Sequence, residues 1–174
     1  MRKMNFFVLL TGLLLIFTGC SGETPKAAKL KIGDPAPEFS AVDLEGKRVD
    51  LASHLGKPVI LRFWSTDCKY CRADTPIFNQ YFKKYKEQGL LVVYINRNSE
   101  EATVRDFVAD LEIGFPVVLD GDGSISKSYS IKIEPQTIFI GPDHRILAAI
   151  LGGVSEAEFQ SLLGGFLQST GGGS

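Results

Sequence analysis

The sequence predicts a single α/β domain in which helices cover both faces of a mixed central sheet. Two continuous apolar runs, Val59 to Trp64 and Leu90 to Ile95, have the length and composition of strands buried on both faces. A helix-like segment follows each run, and two adjacent strand-like segments precede a closing helix. The sheet should be mixed, because helical crossovers join parallel strands and a short turn joins antiparallel ones.

Bulk composition agrees with one globular domain and excludes one class of partner. The chain has 174 residues, of which 44% are hydrophobic and 22% are charged, and its formal net charge is -1. A nearly neutral chain without a block of Lys and Arg has no electrostatic attraction for nucleic acid. We therefore expect no nucleic-acid partner.

The first residues have the pattern of a targeting segment, predicted to be a signal peptide over residues 1–19. Arg2 and Lys3 precede a 12-residue apolar run, Phe6 to Phe17, which is shorter than the about 20 residues that span a membrane. Small residues then lead to Cys20. This order resembles a bacterial lipoprotein signal, which implies that Cys20 is lipidated and becomes the mature N-terminus. The alternatives are an ordinary secretory signal and an uncleaved anchor.

The remaining chain divides into three predicted parts. Residues 20–31 form the lipidated N-terminus and a polar tether without apolar periodicity, residues 32–168 form the folded domain, and residues 169–174 form a flexible tail. We expect the domain to lie outside the cytoplasm, in the periplasm or on the outer face of the cell membrane, held there by the lipid.

The first predicted elements are a small hairpin, the buried strand Val59 to Trp64 and a helix. The hairpin turns at Glu45-Gly46 within residues 36–57. The helix runs from Cys68 to Lys86 and is interrupted by Pro76. After the second buried strand, Ser99 is predicted to cap an inserted helix, whose apolar residues recur at helical spacing: Val104, Phe107, Val108 and Leu111.

The second half of the domain should complete the sheet and close with a helix. FPVVLD (115–120) predicts a short strand, and residues 120–131 predict a turn with one short helix. Gln136 to Ile140 and Arg145 to Leu151 predict two strands joined by the turn GPDH. Ser155 to Gln168 predicts the closing helix, because SEAE at its start has the pattern of a capping box.

The motif WSTDCKYC places Cys68 and Cys71 directly after a buried strand. Attachment of haem needs a His after the second cysteine, where this chain has Arg72. Structural zinc needs about four ligands, and the remaining candidates are scattered along the chain: Cys20, His54 and His144. Both histidines are predicted in turns or loops that face solvent. A structural disulfide across so short a loop would gain little chain entropy.

A redox pair fits this context better. At a junction between strand and helix, the first sulfur lies at the helix N-terminus, where unpaired N–H groups favour a thiolate. Three residues on, Cys71 lies on the same helical face and can attack a mixed disulfide made by Cys68.

With Pro76 five residues after Cys71, this segment resembles the active-site strand and helix of thioredoxin. More specifically, the chain resembles the TlpA/ResA branch of extracytoplasmic thiol–disulfide oxidoreductases. Five blocks carry this resemblance in order: GDPAPEFSAVDLEGK, LRFWSTDCKYC, LLVVYIN, FPVVLD and EPQTIFIGPDHRI. The resemblance covers Ile32 to Gln168 and implies a thioredoxin-like fold with an N-terminal hairpin and a central helix–strand insertion.

The resemblance also implies roles for two residues besides the cysteines, Pro135 and Asp74. Pro135 matches a cis-proline that faces the cysteine pair, and we expect Pro135, Trp64 and Glu134 to bind substrate. Asp74 matches a position that often carries a carboxylate near the active site. The alternative for Asp74 is a solvated acid in the first turn of a helix.

Arg62 departs from the thioredoxin pattern, because it stands where thioredoxin has a buried acid. It could pair with one of three acids, or its stem could be buried while the charge reaches solvent. The candidate acids are Asp67, Asp74 and Glu134. Asp67 and Glu134 are themselves departures, at positions where an aromatic and an apolar residue are common.

The implied function is reduction of disulfides in exported proteins, with apocytochrome c as one candidate substrate and a membrane-embedded thiol donor as the electron source. We expect a monomer without a metal or another cofactor. One alternative is a thiol peroxidase, which needs Pro and Thr where this chain has Leu61 and Ser65. Another is a copper-binding chaperone, which needs a wider cysteine spacing and a distant His, for which His144 is the remote candidate.

Overall fold

The computed structural model describes residues 30–169, which form eleven strands and α-helices. In chain order these are β1 (Ser40–Val42), β2 (Arg48–Asp50), β3 (Val59–Trp64), α1 (Lys69–Tyr85), β4 (Leu91–Asn96), α2 (Glu101–Asp110), β5 (Val117–Leu119), α3 (Ser124–Ser128), β6 (Gln136–Ile140), β7 (Ile146–Leu151) and α4 (Glu156–Ser169). None of the helices within residues 30–169 is long and apolar enough to span a membrane.

The central sheet has five strands in the order β5-β4-β3-β6-β7. β3 and β4 are parallel, as are β4 and β5, whereas β6 and β7 run antiparallel to their neighbours. This arrangement confirms the predicted mixed sheet. It also puts β3 at the centre, so both faces of that strand are buried and every side chain in it is apolar except that of Arg62.

Alternation along β3 divides the interior into two cores. Ile60 and Trp64 face one core, which also contains residues of α1, α2 and α4. Leu61 and Phe63 face the other core, which contains residues of α3 and of the segment around β2. Helices therefore cover both faces, as predicted.

The N-terminal hairpin forms around the predicted turn. β1 and β2 are antiparallel, and Gly46 adopts a φ of +77° between them, a conformation that glycine reaches without a steric penalty. The Leu44 N–H donates to the Val117 carbonyl at 2.9 Å. The hairpin is thus attached to the edge of the central sheet at β5.

Two predicted helix starts have different outcomes. Ser99 does not cap α2: the cap position is Glu100, and Ser99 instead donates its N–H to Asn96 Oδ1 at 3.0 Å. The capping box of α4 is confirmed, because the Ser155 N–H donates to Glu158 Oε2 at 2.7 Å and the Glu158 N–H donates to Ser155 Oγ at 3.4 Å.

The ends of the predicted domain are described only in part. Leu30 packs against the second core, so the last residues of the predicted tether contact the domain. α4 extends through Ser169, the first residue of the predicted tail. The predicted signal peptide, the lipidation site Cys20 and the remainder of the tail lie outside the described residues.

Candidate active site

The two cysteines lie at the N-terminus of α1 and form a disulfide with a Cα–Cα distance of 5.3 Å. Cys68 is the cap residue, and its Sγ accepts the Cys71 N–H at 3.1 Å. Cys68 is half-buried, whereas Cys71 is fully buried. Because the helix terminus favours a thiolate and Cys68 has the accessible sulfur, Cys68 is the better placed of the two to attack an external disulfide.

Pro135 lies at the same edge of the sheet as the cysteines. β6 begins directly after it, with Gln136 opposite Phe63 of β3, so Pro135 is level with the end of the strand that leads to Cys68. The Glu134–Pro135 peptide bond is cis, as the resemblance implied. Whether Pro135 binds substrate stays a prediction.

Trp64, the last residue of β3, is buried in the core. Its indole is fully buried and packs against Phe107 and Tyr94, with ring centroids 4.3 and 5.7 Å away. In this oxidised form the side chain exposes no surface. Whether Trp64 binds substrate stays a prediction.

Glu134 carries its side chain mostly inside the protein. Its Oε1 lies 3.6 Å from Arg97 Nη2. Burial raises the pKa of the Glu134 carboxyl, Arg97 offsets part of that rise, and the negative charges of Asp120 and Asp67 add to it. Glu134 therefore has a charged partner within the protein, and its predicted contact with substrate stays a prediction.

Asp74 is a buried member of the site rather than a solvated acid at the start of a helix. Its Oδ2 accepts hydrogen bonds from Arg62 Nη2 at 2.7 Å and from the Val154 N–H at 2.9 Å. Its Oδ1 is buried and has no hydrogen-bond partner within the described part of the chain. Burial raises the pKa of the Asp74 carboxyl, while the Arg62 charge and the Val154 N–H offset part of that rise.

The structure identifies which of the three candidate acids pairs with Arg62. Asp74 is that partner, whereas Asp67 accepts a hydrogen bond from Ser65 at 2.7 Å. The Arg62 side chain is 0% exposed, which excludes the alternative that its charge reaches solvent. Burial lowers its pKa and Asp74 opposes that effect, but a guanidinium keeps its proton at neutral pH.

Three further partners of this pair were not predicted. Arg62 Nη1 donates to Thr137 Oγ1 at 2.6 Å and to the Gly152 carbonyl at 2.9 Å, and Val154 supplies the N–H that Asp74 accepts. Backbone groups carry no residue-type signal, and a lone Thr in a strand is common. These groups lie 75 to 90 residues along the chain from the side chains they contact, so no local pattern could have found them.

His144 is not placed to join the cysteines in a metal site. His144 is buried rather than solvent-facing, with Nδ1 3.5 Å from Glu38 Oε1. It follows β6 at the end where Ile140 pairs with Val59, whereas the cysteines follow the other end of β3, roughly 16 Å of strand away. No group of three metal-ligating side chains occurs within residues 30–169.

The chain is similar to a known protein family and to proteins named as thiol–disulfide oxidoreductases. Residues 32–149 match the AhpC/TSA family. The chain is 33% identical over 167 residues to the thiol–disulfide oxidoreductase ResA of Bacillus cereus, covering 92% of this chain and 96% of that protein. It is 31% identical over 163 residues to the ResA of Bacillus subtilis, covering 90% and 91% of the two chains.

Solved structures show the same fold. A thiol:disulfide interchange protein of the thioredoxin family from Chlorobium tepidum superposes with a TM-score of 0.71 at 28% identity, covering 80% of this chain and 99% of that one. A secreted disulfide oxidoreductase from Mycobacterium tuberculosis superposes with a TM-score of 0.65 at 25% identity, covering 73% and 95%.

Proposed function

The chain belongs to the AhpC/TSA family and is a thiol–disulfide oxidoreductase of the ResA type, and from this premise we propose that it reduces disulfides in exported proteins while tethered to a membrane. Apocytochrome c is one candidate substrate. A membrane-embedded dithiol would return the electrons. An oxidising compartment keeps exported thiols paired, so a local reductant has a purpose there.

The proposal depends most on one observation, the unequal exposure of the two sulfurs at the N-terminus of α1. Cys68 is accessible and Cys71 is fully buried. This is the arrangement that a two-step exchange requires, because one sulfur must meet the substrate and the other must stay protected until the mixed disulfide forms.

In the proposed cycle the Cys68 thiolate attacks one sulfur of the substrate disulfide, forms a mixed disulfide and releases the other substrate sulfur as a thiolate. Cys71 then gives its proton to Asp74. The resulting thiolate attacks Cys68 Sγ, so the Cys68–Cys71 disulfide forms and the second substrate thiolate leaves. Two electrons pass from the cysteine pair to the substrate. Asp74 fits the role of proton acceptor because its Oδ1 is buried and has no hydrogen-bond partner among the described residues.

Trapping of intermediates tests this division of roles. Cys71→Ser should accumulate mixed disulfides with exported proteins, because Cys68 can still attack but nothing resolves the product. The matched variant Cys68→Ser should trap almost none. The opposite pattern would overturn the assignment, and an equal yield from both variants would show that the sulfurs are not distinguished.

The direction of electron flow has its own test. The reduction potential of the Cys68–Cys71 couple should lie near that of thioredoxin, about -270 mV, if the protein is a reductant. A potential near about -120 mV would instead identify an oxidant.

The proposed anchor rests on the sequence around Cys20. Cys20→Ala should release the protein from membranes and leave its reduction of a soluble disulfide protein such as insulin unchanged. Membrane association that survives both the substitution and a salt wash would indicate an uncleaved signal anchor.

A further inference from the structure

A guanidinium lies against the buried sulfur of the redox pair. Arg62 stands at the centre of β3 and shares the face of Ile60 and Trp64, which turns it towards α1. Its Nη2 lies 3.8 Å from Cys71 Sγ and 2.7 Å from Asp74 Oδ2. The contacts of Nη1 with β6 and with the turn after β7 hold the guanidinium in this orientation.

The contact with sulfur should change in strength with the redox state. In the disulfide, Cys71 Sγ is uncharged and a weak hydrogen-bond acceptor. After reduction and loss of the proton, the same atom carries a full negative charge and accepts a charge-assisted hydrogen bond. The site is buried, so the attraction between the two charges is screened far less than it would be in water. Arg62 therefore interacts more favourably with the reduced, deprotonated pair than with the disulfide.

We propose that Arg62 is a thiolate-stabilising residue for the resolving step, in which its Nη2–H group holds the Cys71 thiolate that attacks Cys68 Sγ. This inference rests on the proposed function and adds a residue to its mechanism. The proton of Cys71 goes to Asp74, the electron pair of the thiolate forms the bond to Cys68, and the substrate thiolate is the leaving group. Arg62 increases the fraction of Cys71 that is ionised and raises the reduction potential of the pair.

Other groups near Cys71 also influence whether its thiol ionises. On α1, Asp74 acts in the opposite direction, since a negative charge disfavours a second one nearby. On β4, burial raises the pKa of Tyr94 well above its ordinary value, so this phenol stays neutral. The groups that Arg62 contacts on β6 and in the turn after β7 are a hydroxyl and a carbonyl, which do not titrate in this range. Cys68, which is bonded to Cys71 in the disulfide, also titrates once the pair is reduced, and Cys68→Ser removes it.

The test uses the full chain with Cys20→Ala, which leaves Cys68 and Cys71 as its cysteines. Arg62→Met removes the charge and keeps most of the side-chain volume, whereas Arg62→Lys keeps the charge. Equilibration with a reference dithiol, at a pH high enough for Cys71 to be ionised in the reduced protein, should show that Arg62→Met disfavours the reduced form about tenfold, which corresponds to about 30 mV for a two-electron couple. Arg62→Lys should recover part of this loss. Arg105→Met, at an exposed arginine of α2 paired with Glu101, should leave the equilibrium unchanged.

A second measurement isolates the buried sulfur. With Cys68→Ser also present, the ultraviolet absorption of the thiolate reports Cys71 alone. Arg62→Met should move the appearance of that absorption to higher pH, and Arg62→Lys should move it part of the way back.

Two controls separate this role from a structural one. Arg62→Met leaves Asp74 unpaired, so Arg62→Met/Asp74→Asn is compared with Asp74→Asn alone, and the potential should again be lower without Arg62. If Arg62→Met unfolds, arginine nitrogen resonances in the Cys68→Ser protein give the answer: those of Arg62 should shift with the same pH midpoint as the thiolate absorption.

An unchanged potential and thiolate titration in Arg62→Met would overturn the inference and leave Arg62 as a structural link between strands. Nitrogen chemical shifts of Arg62 that do not change as Cys71 ionises would also overturn the inference. These are equilibrium properties of the cysteine pair. The trapping of exported proteins tests the proposed function, so either test can fail without the other failing.

Discussion

Asp74→Asn is the substitution that best tests the proposed chemistry, because it removes a proton acceptor and nearly preserves shape. Turnover at neutral pH should fall by about 10²-fold, the lower end of the range for loss of a general base. The deficit should shrink at alkaline pH, where Cys71 loses its proton to solvent without help. Burial raises the pKa of the Asp74 carboxyl, which makes its carboxylate a better proton acceptor.

The same substitution should lower stability by an amount that follows from its contacts. The carboxylate accepts from Arg62 at 2.7 Å and from the Val154 N–H at 2.9 Å, and an Asn oxygen can keep only part of this arrangement. Removing one partner of a buried ion pair costs about 3–5 kcal/mol, and the retained amide oxygen should place the loss near the lower value, about 3 kcal/mol. Urea denaturation of the oxidised protein measures this loss.

Kinetics and stability must be measured separately to interpret the variant. The assay follows reduction of a model disulfide by the reduced protein over a range of pH, with the fluorescence of Trp64, the only Trp of the chain, as the signal. Asp106→Asn, the same change at an exposed position of α2, is the control and should match the wild type. Removal of the negative charge also favours the Cys71 thiolate, so the two effects oppose each other. An Asp74→Asn protein that equals the wild type at every pH, or exceeds it at neutral pH, would refute the role of proton acceptor.

Two further predictions concern the surroundings of the site and the core. The raised pKa of Glu134 means that the folded protein holds this proton more tightly than the unfolded chain, so the stabilisation is present below the ordinary pKa of 4.5 and is lost as the pH rises through the raised value. As the pH rises from 4.5 through the raised pKa, the free energy of unfolding of the wild type should therefore fall relative to that of Glu134→Gln, as measured by urea denaturation. A rise over the same pH range would mean that the ion pair with Arg97 dominates. Leu163→Ala in α4, where the side chain is fully buried, should cost about 2–5 kcal/mol. Leu151→Ala, at a residue that is 60% exposed, should change stability by less than about 0.5 kcal/mol; similar losses would contradict the assigned packing of α4.

Much of the fold could be predicted because its signals are local. The run Val59 to Trp64 coincides with β3, since a strand buried on both faces must be apolar almost throughout. The capping box at Ser155 marks the start of α4, because its hydrogen bonds join residues only three apart. The local pattern at Ser99 gave a wrong prediction. Serine is a favoured cap residue, but Ser99 hydrogen-bonds to Asn96 and α2 is capped one residue later, at Glu100.

Part of the site was also predictable from short-range chemistry. Two cysteines three apart, between a buried strand and a helix-like segment, predicted a redox pair at a helix N-terminus, and the structure places Cys68 at the cap of α1 and buries Cys71. The position of Asp74 three residues after Cys71 placed it on the same helical face, which made a contact with the pair plausible but left a solvated acid equally open. Its burial could not be read from the helix alone, since the turn after β7 covers it.

What tertiary structure alone decided is the partner of Arg62 and the depth at which it lies. Alternation along β3 assigns Arg62 to a face, but the sequence left three acids and the solvent as possible partners for its charge. The choice depends on where α1 crosses the sheet and where the chain returns after β7, since those two elements bring Asp74 and Gly152 to the guanidinium. Packing between elements also decides the environment of Trp64, because α2 and β4 bury its indole against Phe107 and Tyr94. Contacts between residues distant in the chain form only when the elements pack, and a buried charge is stable only where packing delivers its partners.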